Sequence, residues 1–262
     1  MVMRARIPTP RESRPSRVDD SQHVPRPYKL RRFYTPKEVA LHNTSGDVWV
    51  SLFDKVFDLT LLINKNHTRP ECDPIVLAAG TDITHWFDPA TQKVSNIKQL
   101  VFIHGYSLVC IQPRMRVSPE TGSEEFFCPN GRYLHVPPAD PDAEWDPDFS
   151  VPWWEDEARY CIGNLTKRTR LIRIINTLTK HDDVIEVASE ESLNEILDRY
   201  TNKNVHAASY TWKRMGKVLD MAKNLEKNGI VDEREELLEL GMQPDDYVPA
   251  IHLYFNDDLT IA

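Results

Sequence analysis

The chain has 262 residues, 27% of them charged and 40% hydrophobic, enough apolar material for one large core or two small ones. Its formal charge of -8 conceals a split, because residues 1–32 carry nine basic residues against Glu12, Asp19 and Asp20, while the other 230 hold 23 basic and 37 acidic. The remainder, near -14, lacks the general basic face that nucleic acid requires, so no nucleic-acid partner is expected.

Cys72, Cys110, Cys128 and Cys161 form no C-x-x-C pair, which argues against a zinc site or a secreted disulfide framework and fits reduced thiols in the cytosol. No signal-peptide h-region and no run of about 18 uncharged apolar residues occurs, so no membrane span is expected. The Arg-rich start reads as a disordered or extended basic arm over residues 1–32 that a partner orders. The competing reading, a transit peptide, is opposed by Pro8, Pro10, Pro15, Pro25 and Pro27, which break the amphipathic helix such a peptide uses.

From Phe33 the pattern turns globular. Thr35-Pro-Lys-Glu38 is a capping box with Pro36 at the first helical position, and "DVWVSLFDKVFDLT" predicts two strands around a turn at Phe53-Asp54-Lys55. Asp73-Pro74 predicts the cap of a helix over "PIVLAAG", ended by Gly80, and Thr81 to Thr84 offer caps for another that starts at His85 and stops before Pro89. "NIKQLVFIHGYSLVCIQP", residues 96–113, reads as a hydrophobic insertion forming a hairpin that turns at His104-Gly105, too short to span a membrane and expected to be covered.

Residues 113–165 are a Pro/Trp-rich strap with a hairpin expected at Pro129-Asn-Gly-Arg132. Trp145, Phe149, Trp153 and Trp154 either pack the strap across a domain or anchor a partner. Beyond it, "RLIRIINTL" and "DVIEVA" predict a hairpin, "SEESLNEILDRY" a helix capped by Ser189 with Leu193, Ile196, Leu197 and Tyr200 on one face, and "SYTWK" and "PAIHLYF" two more strands, with a short helical turn in "MAKNLEKNGI". The order resembles a ubiquitin-like β-grasp from about Thr169 to Asn256. The closing Asp-Leu-Thr-Ile-Ala262 has no Gly-Gly, so a binding or packing module is expected rather than a conjugated modifier. No nucleophile elbow, phosphate loop or paired metal motif is present, and no enzyme is expected.

"FYTPKEVALHN", "WVSLFDKVFDLT" and "AAGTDITHWF" resemble the cytochrome b5 haem-binding domain. The resemblance implies haem b in a pocket lined by Phe57, Leu77 and Phe87, with iron held by two histidines. His67, in His67-Thr-Arg-Pro70, stands at the first ligand position, although the family's His-Pro-Gly-Gly glycines are absent and one extra residue separates Asp58 from it. The second position falls on Gln92, and the nearby alternatives are His85, His104 and His135, with His85 the expected metal residue beside His67.

With "FDPAT", "PNGRYLHVPP", "PWW" and "HAASYTWK" added, nearly the whole chain resembles a ciliary family that joins such a domain to a β-grasp tail and whose members are held to be radial spoke components of the axoneme. The fold class implied is α+β: a cytochrome b5-like domain over 33–112, the strap over 113–165 and a β-grasp domain over 166–262. The function implied is a structural and regulatory axonemal subunit in the cytoplasm, cytoskeleton and cilium. Its partners would be radial spoke proteins, with the arm on the microtubule, and haem would be linked to redox control. The alternative is a soluble cytochrome b5-type electron carrier or haem redox sensor.

Overall fold

The computed structural model describes residues 30–90, 102–103, 106–107, 111–119, 122–138 and 151–255. The basic arm through residue 29 lies outside that set, as do Gln92, His104, Cys110, Trp145 and Phe149.

The first sheet has the order β1-β9-β4-β3-β2, built from β1 (Phe33–Tyr34), β2 (Asn43–Thr44), β3 (Asp47–Leu52), β4 (Lys55–Asp58) and β9 (Cys161–Leu165). Phe53 and Asp54 both take positive φ, 47° and 60°, so β3 and β4 are joined by a tight two-residue turn whose twist matches the strands. Phe53 meets that requirement without being glycine because its N–H donates to Thr84 Oγ1 at 3.0 Å and its ring packs on Phe87.

Strand β9 comes from the end of the segment the sequence reading assigned to the strap. It pairs antiparallel with β4 and parallel with β1, with a register shift between Val56 and Phe57. Gly163 is what permits this approach: a Cβ there would lie 2.6 Å from the Arg31 carbonyl oxygen and 2.8 Å from the Tyr34 ring.

Helix α1 (Pro36–Ala40) has the expected capping box, with Thr35 Oγ1 accepting from Glu38 N–H at 3.2 Å and Glu38 Oε2 accepting from Thr35 N–H at 2.8 Å. Helix α2 (Thr60–Lys65) had no signal beyond "DLT": Asp58 Oδ1 accepts from Thr60 N–H at 3.0 Å, and Leu62 and Ile63 enter the core. Helix α3 (Asp73–Leu77) is entered through a 3-10 turn at Pro70–Cys72, so Asp73 lies inside the first turn and is not its cap. The helix expected from His85 is a single 3-10 turn, Thr84–Trp86. Beside it the "GTD" loop runs along β3, with Ser51 N–H on Thr81 O at 3.0 Å and Ile83 N–H on Ser51 O at 2.9 Å.

Two short hairpins follow. Strands β5 (Phe102–Ile103) and β6 (Tyr106–Ser107) pair antiparallel, Phe102 opposite Ser107 and Ile103 opposite Tyr106, within the segment read as the hydrophobic insertion; the turn expected at His104-Gly105 lies outside the described residues. Strands β7 (Met115–Val117) and β8 (Glu124–Phe126) form the second. The hairpin expected at Pro129-Asn-Gly-Arg132 is only a turn, because Arg132 to Val136 are drawn back onto the first domain instead of pairing with β8. Helix α4 (Glu157–Tyr160), capped by Asp156, leads into β9.

The second sheet has the order β11-β10-β14-β12-β13, comprising β10 (Thr169–Asn176), β11 (Asp182–Ala188), β12 (Tyr210–Arg214), β13 (Lys217–Val218) and β14 (Ala250–Phe255). Its central pair is parallel, Ile174 opposite Ile251, and helix α5 (Leu193–Tyr200) buries Leu193, Ile196 and Tyr200 against it, the arrangement of a β-grasp. The helix cap is Ser192, not Ser189: Ser192 Oγ and Glu195 form the reciprocal capping box, whereas Ser189 Oγ donates to the Arg168 carbonyl at 2.9 Å. Helix α6 (Arg234–Glu239) lies in the long connection before β14. The fold is α+β throughout. Among the described residues no helix is long and apolar enough to cross a membrane.

Arg199, at the end of α5, ties the β-grasp to the first domain. Its Nε donates to both Glu191 carboxylate oxygens at 2.8 and 2.7 Å, its Nη2 to the Phe33 carbonyl at 3.0 Å, and its Nη1 to Glu38, the same side chain that caps α1. Glu191 is 1% exposed and Arg199 7%, so this is a desolvated group. Burial opposes charge on all three. The bonds to Arg199 nevertheless hold the Glu38 carboxyl below its usual range and raise Arg199, while Glu191, the most deeply buried, stays raised. Lys37 with Glu186 at 2.6 Å and Arg32 with Glu195 at 3.1 Å add pairs at the edge.

Candidate functional site

Two of the sequence-selected residues, Phe57 and Phe87, meet in the core of the first domain. Phe57 is delivered by β4 and Phe87 by the 3-10 turn after the "GTD" loop, and neither is exposed beyond 1%. Three aromatics from the strap close over them. Trp153 sets its ring edge to Phe57 at 6.4 Å and to Phe87 at 6.1 Å; Trp154 lies 5.5 Å from Phe87; Tyr133 lies 6.1 Å from Phe87 and 4.8 Å from Trp86. For Trp153 and Trp154 the packing reading therefore holds.

Hydrogen bonds fix the closure. Trp153 Nε1–H donates to the Leu134 carbonyl at 3.2 Å and Trp154 Nε1–H to the Ile111 carbonyl at 2.8 Å. The Trp153 backbone N–H donates to His135 Nδ1 at 2.9 Å, which makes Nδ1 the unprotonated nitrogen of that ring. Burial, with Arg69 nearby, pulls the His135 pKa down to about 4. Leu134 N–H reaches the Glu71 carbonyl at 3.2 Å, and Arg132 pairs with the Glu71 carboxylate. Tyr133 Oη is buried without a hydrogen-bond partner, and burial drives its pKa upward.

The remaining selected residues are elsewhere. His67 is exposed in the turn after α2, its Nδ1 3.0 Å from the Asn64 carbonyl oxygen. His85 is exposed on the 3-10 turn with its ring 6.3 Å from Trp86. Leu77 is 72% exposed at the end of α3.

A two-histidine haem needs both imidazoles aimed at one iron at about 2 Å, between walls that exclude water. The described residues do not meet that requirement. His67 and His85 face solvent, His135 uses Nδ1 on Trp153, and no group of three His, Cys, Asp or Glu among the described residues is arranged to hold a metal ion. What the arrangement does supply is a sealed aromatic core and three free thiols, Cys72, Cys128 and Cys161. Burial raises all three thiol pKa values, Cys72 to about 11, which disfavours the reactive thiolate.

Sequence reasoning missed Tyr133 and Arg199. "GRYLHVPP" carries an apolar alternation that could have singled out Tyr133, but nothing local marks Arg199 as a partner of the α1 cap.

Comparison with known proteins bears on the whole chain. The family described as "Cytochrome b5-like Heme/Steroid binding domain" matches residues 35–165, which includes β9. A Xenopus laevis protein named "Cytochrome b5 domain-containing protein 1" is 45% identical over 229 residues, 87% of this chain and 96% of that one. The Homo sapiens protein of the same name is 46% identical over 233 residues, 89% of this chain and 93% of that one. A solved N-terminal ubiquitin-like domain is 14% identical, covering 35% of this chain and 79% of that domain at a TM-score of 0.26, too loose a match to add to the topology.

Proposed function

Because the chain belongs to the cytochrome b5 domain-containing protein 1 family, we propose that it serves as a structural and regulatory subunit of the ciliary axoneme, within the radial spoke, and that its work is docking rather than catalysis. The observation that carries this reading is the closure of the first domain's core by the chain's own Tyr133, Trp153 and Trp154. A fold so filled, and tied to a second domain through Arg199, presents surfaces in a fixed relation, which is what a subunit of a multiprotein stalk requires. Axonemal proteins are the partners proposed, in the cytoplasm and cytoskeleton of the cilium. The Arg-rich arm is proposed to meet the acidic microtubule surface, a contact that salt would weaken.

A second reading, a haem-bearing subunit linked to redox control of beating, rests on the haem/steroid-binding description of the matched family. One titration separates the two. On adding haem to the purified full chain, the docking reading expects no Soret band that depends on His67 or His85. A band lost in His67→Ala or His85→Ala would establish the haem reading. The axonemal role has its own test: the full chain should stay with detergent-extracted axonemes, and release into the soluble fraction would overturn it.

A further inference from the structure

We propose that the knob formed by residues 231–247 of the β-grasp domain is a docking surface for a basic amphipathic segment of a partner protein. The connection from Ile230 to Ala250 has only to return the chain to the middle of the sheet, yet it builds a capped structure of its own. Helix α6 ends at Glu239, and Gly241 just beyond its Leu240 cap takes a φ of +71° that few other residues accept; Gly241 N–H donates to Leu238 O at 3.0 Å and Met242 N–H to Leu237 O at 2.9 Å. That pair of bonds stops a helix while satisfying its last carbonyls. A 3-10 turn at Pro244–Asp246 follows, closed by Tyr247 N–H on Pro244 O at 3.1 Å.

The knob is therefore ordered by its backbone, but it contributes no fully buried residue to the core behind it. Leu238 is 56% exposed, Leu240 74% and Tyr247 53%, with Val231 and Met242 also outward. One exposed leucine needs no explanation; this many large apolar side chains within one hydrogen-bonded segment do.

Charge names the partner's chemistry. Residues 231–247 contain seven acidic side chains and, as the only basic one, Arg234. Asp232 and Glu235 are held by Arg168, at 3.5 and 2.7 Å. Glu233, Glu236, Glu239, Asp245 and Asp246 make no ion pair with a described residue. A helix carrying leucines along one stripe and lysines or arginines beside it would cover Leu238 and Leu240 while setting its cations beside Glu236 and Glu239. An acidic partner would be repelled.

The probe is a fluorescent leucine-lysine peptide of about 18 residues with helical spacing, five turns long, titrated into the full chain beside a counterpart with glutamate for lysine. Saturable one-to-one binding of the basic peptide alone is expected. Leu238→Ser with Leu240→Ser should weaken it by about tenfold or more with circular dichroism and melting unchanged. Glu236→Gln with Glu239→Gln should weaken it severalfold and flatten its salt dependence. Failure of the basic peptide to bind, or equal affinity in both variants, overturns the proposal. So does a concentration-dependent dimer abolished by the leucine substitutions, because the occupant would then be a second copy of the chain.

Discussion

In the β-grasp domain the core side chains all come from one continuous stretch, Ile172 to Leu253, and helix α5 lays Leu193, Ile196 and Tyr200 on the sheet at ordinary helical spacing. In the cytochrome b5-like domain the side chains between Val48 and Phe87 leave the core open until Tyr133, Leu134, Val136, Trp153 and Trp154 return to it, with β9 completing the sheet. Both cores use distant contacts, Ile174 beside Ile251 in the β-grasp and Phe87 against Trp153 in the cytochrome b5-like domain, but only the latter is finished by a segment outside the stretch read as its domain, as Trp154 Nε1 on Ile111 O also illustrates. The contrast teaches that the strap is part of the first fold rather than a connector between two finished ones.

Removing Trp153 should break that contrast most severely. Trp153→Ala deletes a fully buried indole from among Phe57, Phe87 and Trp154 and should cost about 3–5 kcal/mol, read by denaturant unfolding of the first domain. A loss below about 0.5 kcal/mol, as on a surface, would make the strap a mere cover. Next comes the tie between the domains. Arg199→Met leaves Glu191 buried and uncompensated and should cost about 3 kcal/mol, splitting thermal unfolding into two steps. Converting Glu191 to Met and Glu38 to Gln in the same protein should restore much of the loss.

A smaller effect, about 1 kcal/mol, is expected for Ser192→Ala. Ser189→Ala should change melting by less than half of that, since its hydroxyl caps no helix. A further small effect is in pH. His135 has a folded pKa of about 4 against 6.5 when unfolded, so as pH falls from 6.5 toward 4 the unfolded chain takes up the proton first. Stability is full above pH 6.5 and declines below it. Because the ring is part-exposed, solvent screening limits the loss to less than about 1 kcal/mol. His135→Asn keeps an acceptor at the Nδ1 position and tolerates the φ of 72°, so melting followed from pH 7 to 5 should lose this slope.

The same contrast governs what the sequence revealed. The β-grasp was legible because alternation in "RLIRIINTL" and the 3.6-residue stripe in "LNEILDRY" are local patterns, and the misplaced cap arose only because Ser189 and Ser192 both precede the helix within four residues. In the first domain the Thr35 capping box and the turn at Phe53-Asp54 were readable for the same reason. Strand β9 was not: "CIGNL" has little alternation, and its partners lie on β1 and β4, more than a hundred positions earlier. The site residues divide in the same way. Phe57 and Phe87 are where the resemblance implies an aromatic wall, but what faces them was decided by Tyr133, Trp153 and Trp154: packing was one of two readings for the tryptophans, and neither they nor the alternation around Tyr133 says which side chains they meet. Exposure of His67, His85 and Leu77 follows from where short turns end, which spacing alone does not settle.

Amide hydrogen exchange on the full chain tests the central point most directly. The N–H groups of Asn164, Leu165 and Thr166 donate to the carbonyls of Arg32, Asp54 and Tyr34 at 2.9, 2.8 and 2.9 Å, so they should exchange as slowly as Gly80 and Ser51, which bond across β3. Exchange of Asn164, Leu165 and Thr166 at the rate of an open loop, with Gly80 and Ser51 still protected, would show that the first domain is complete without them and would contradict the account.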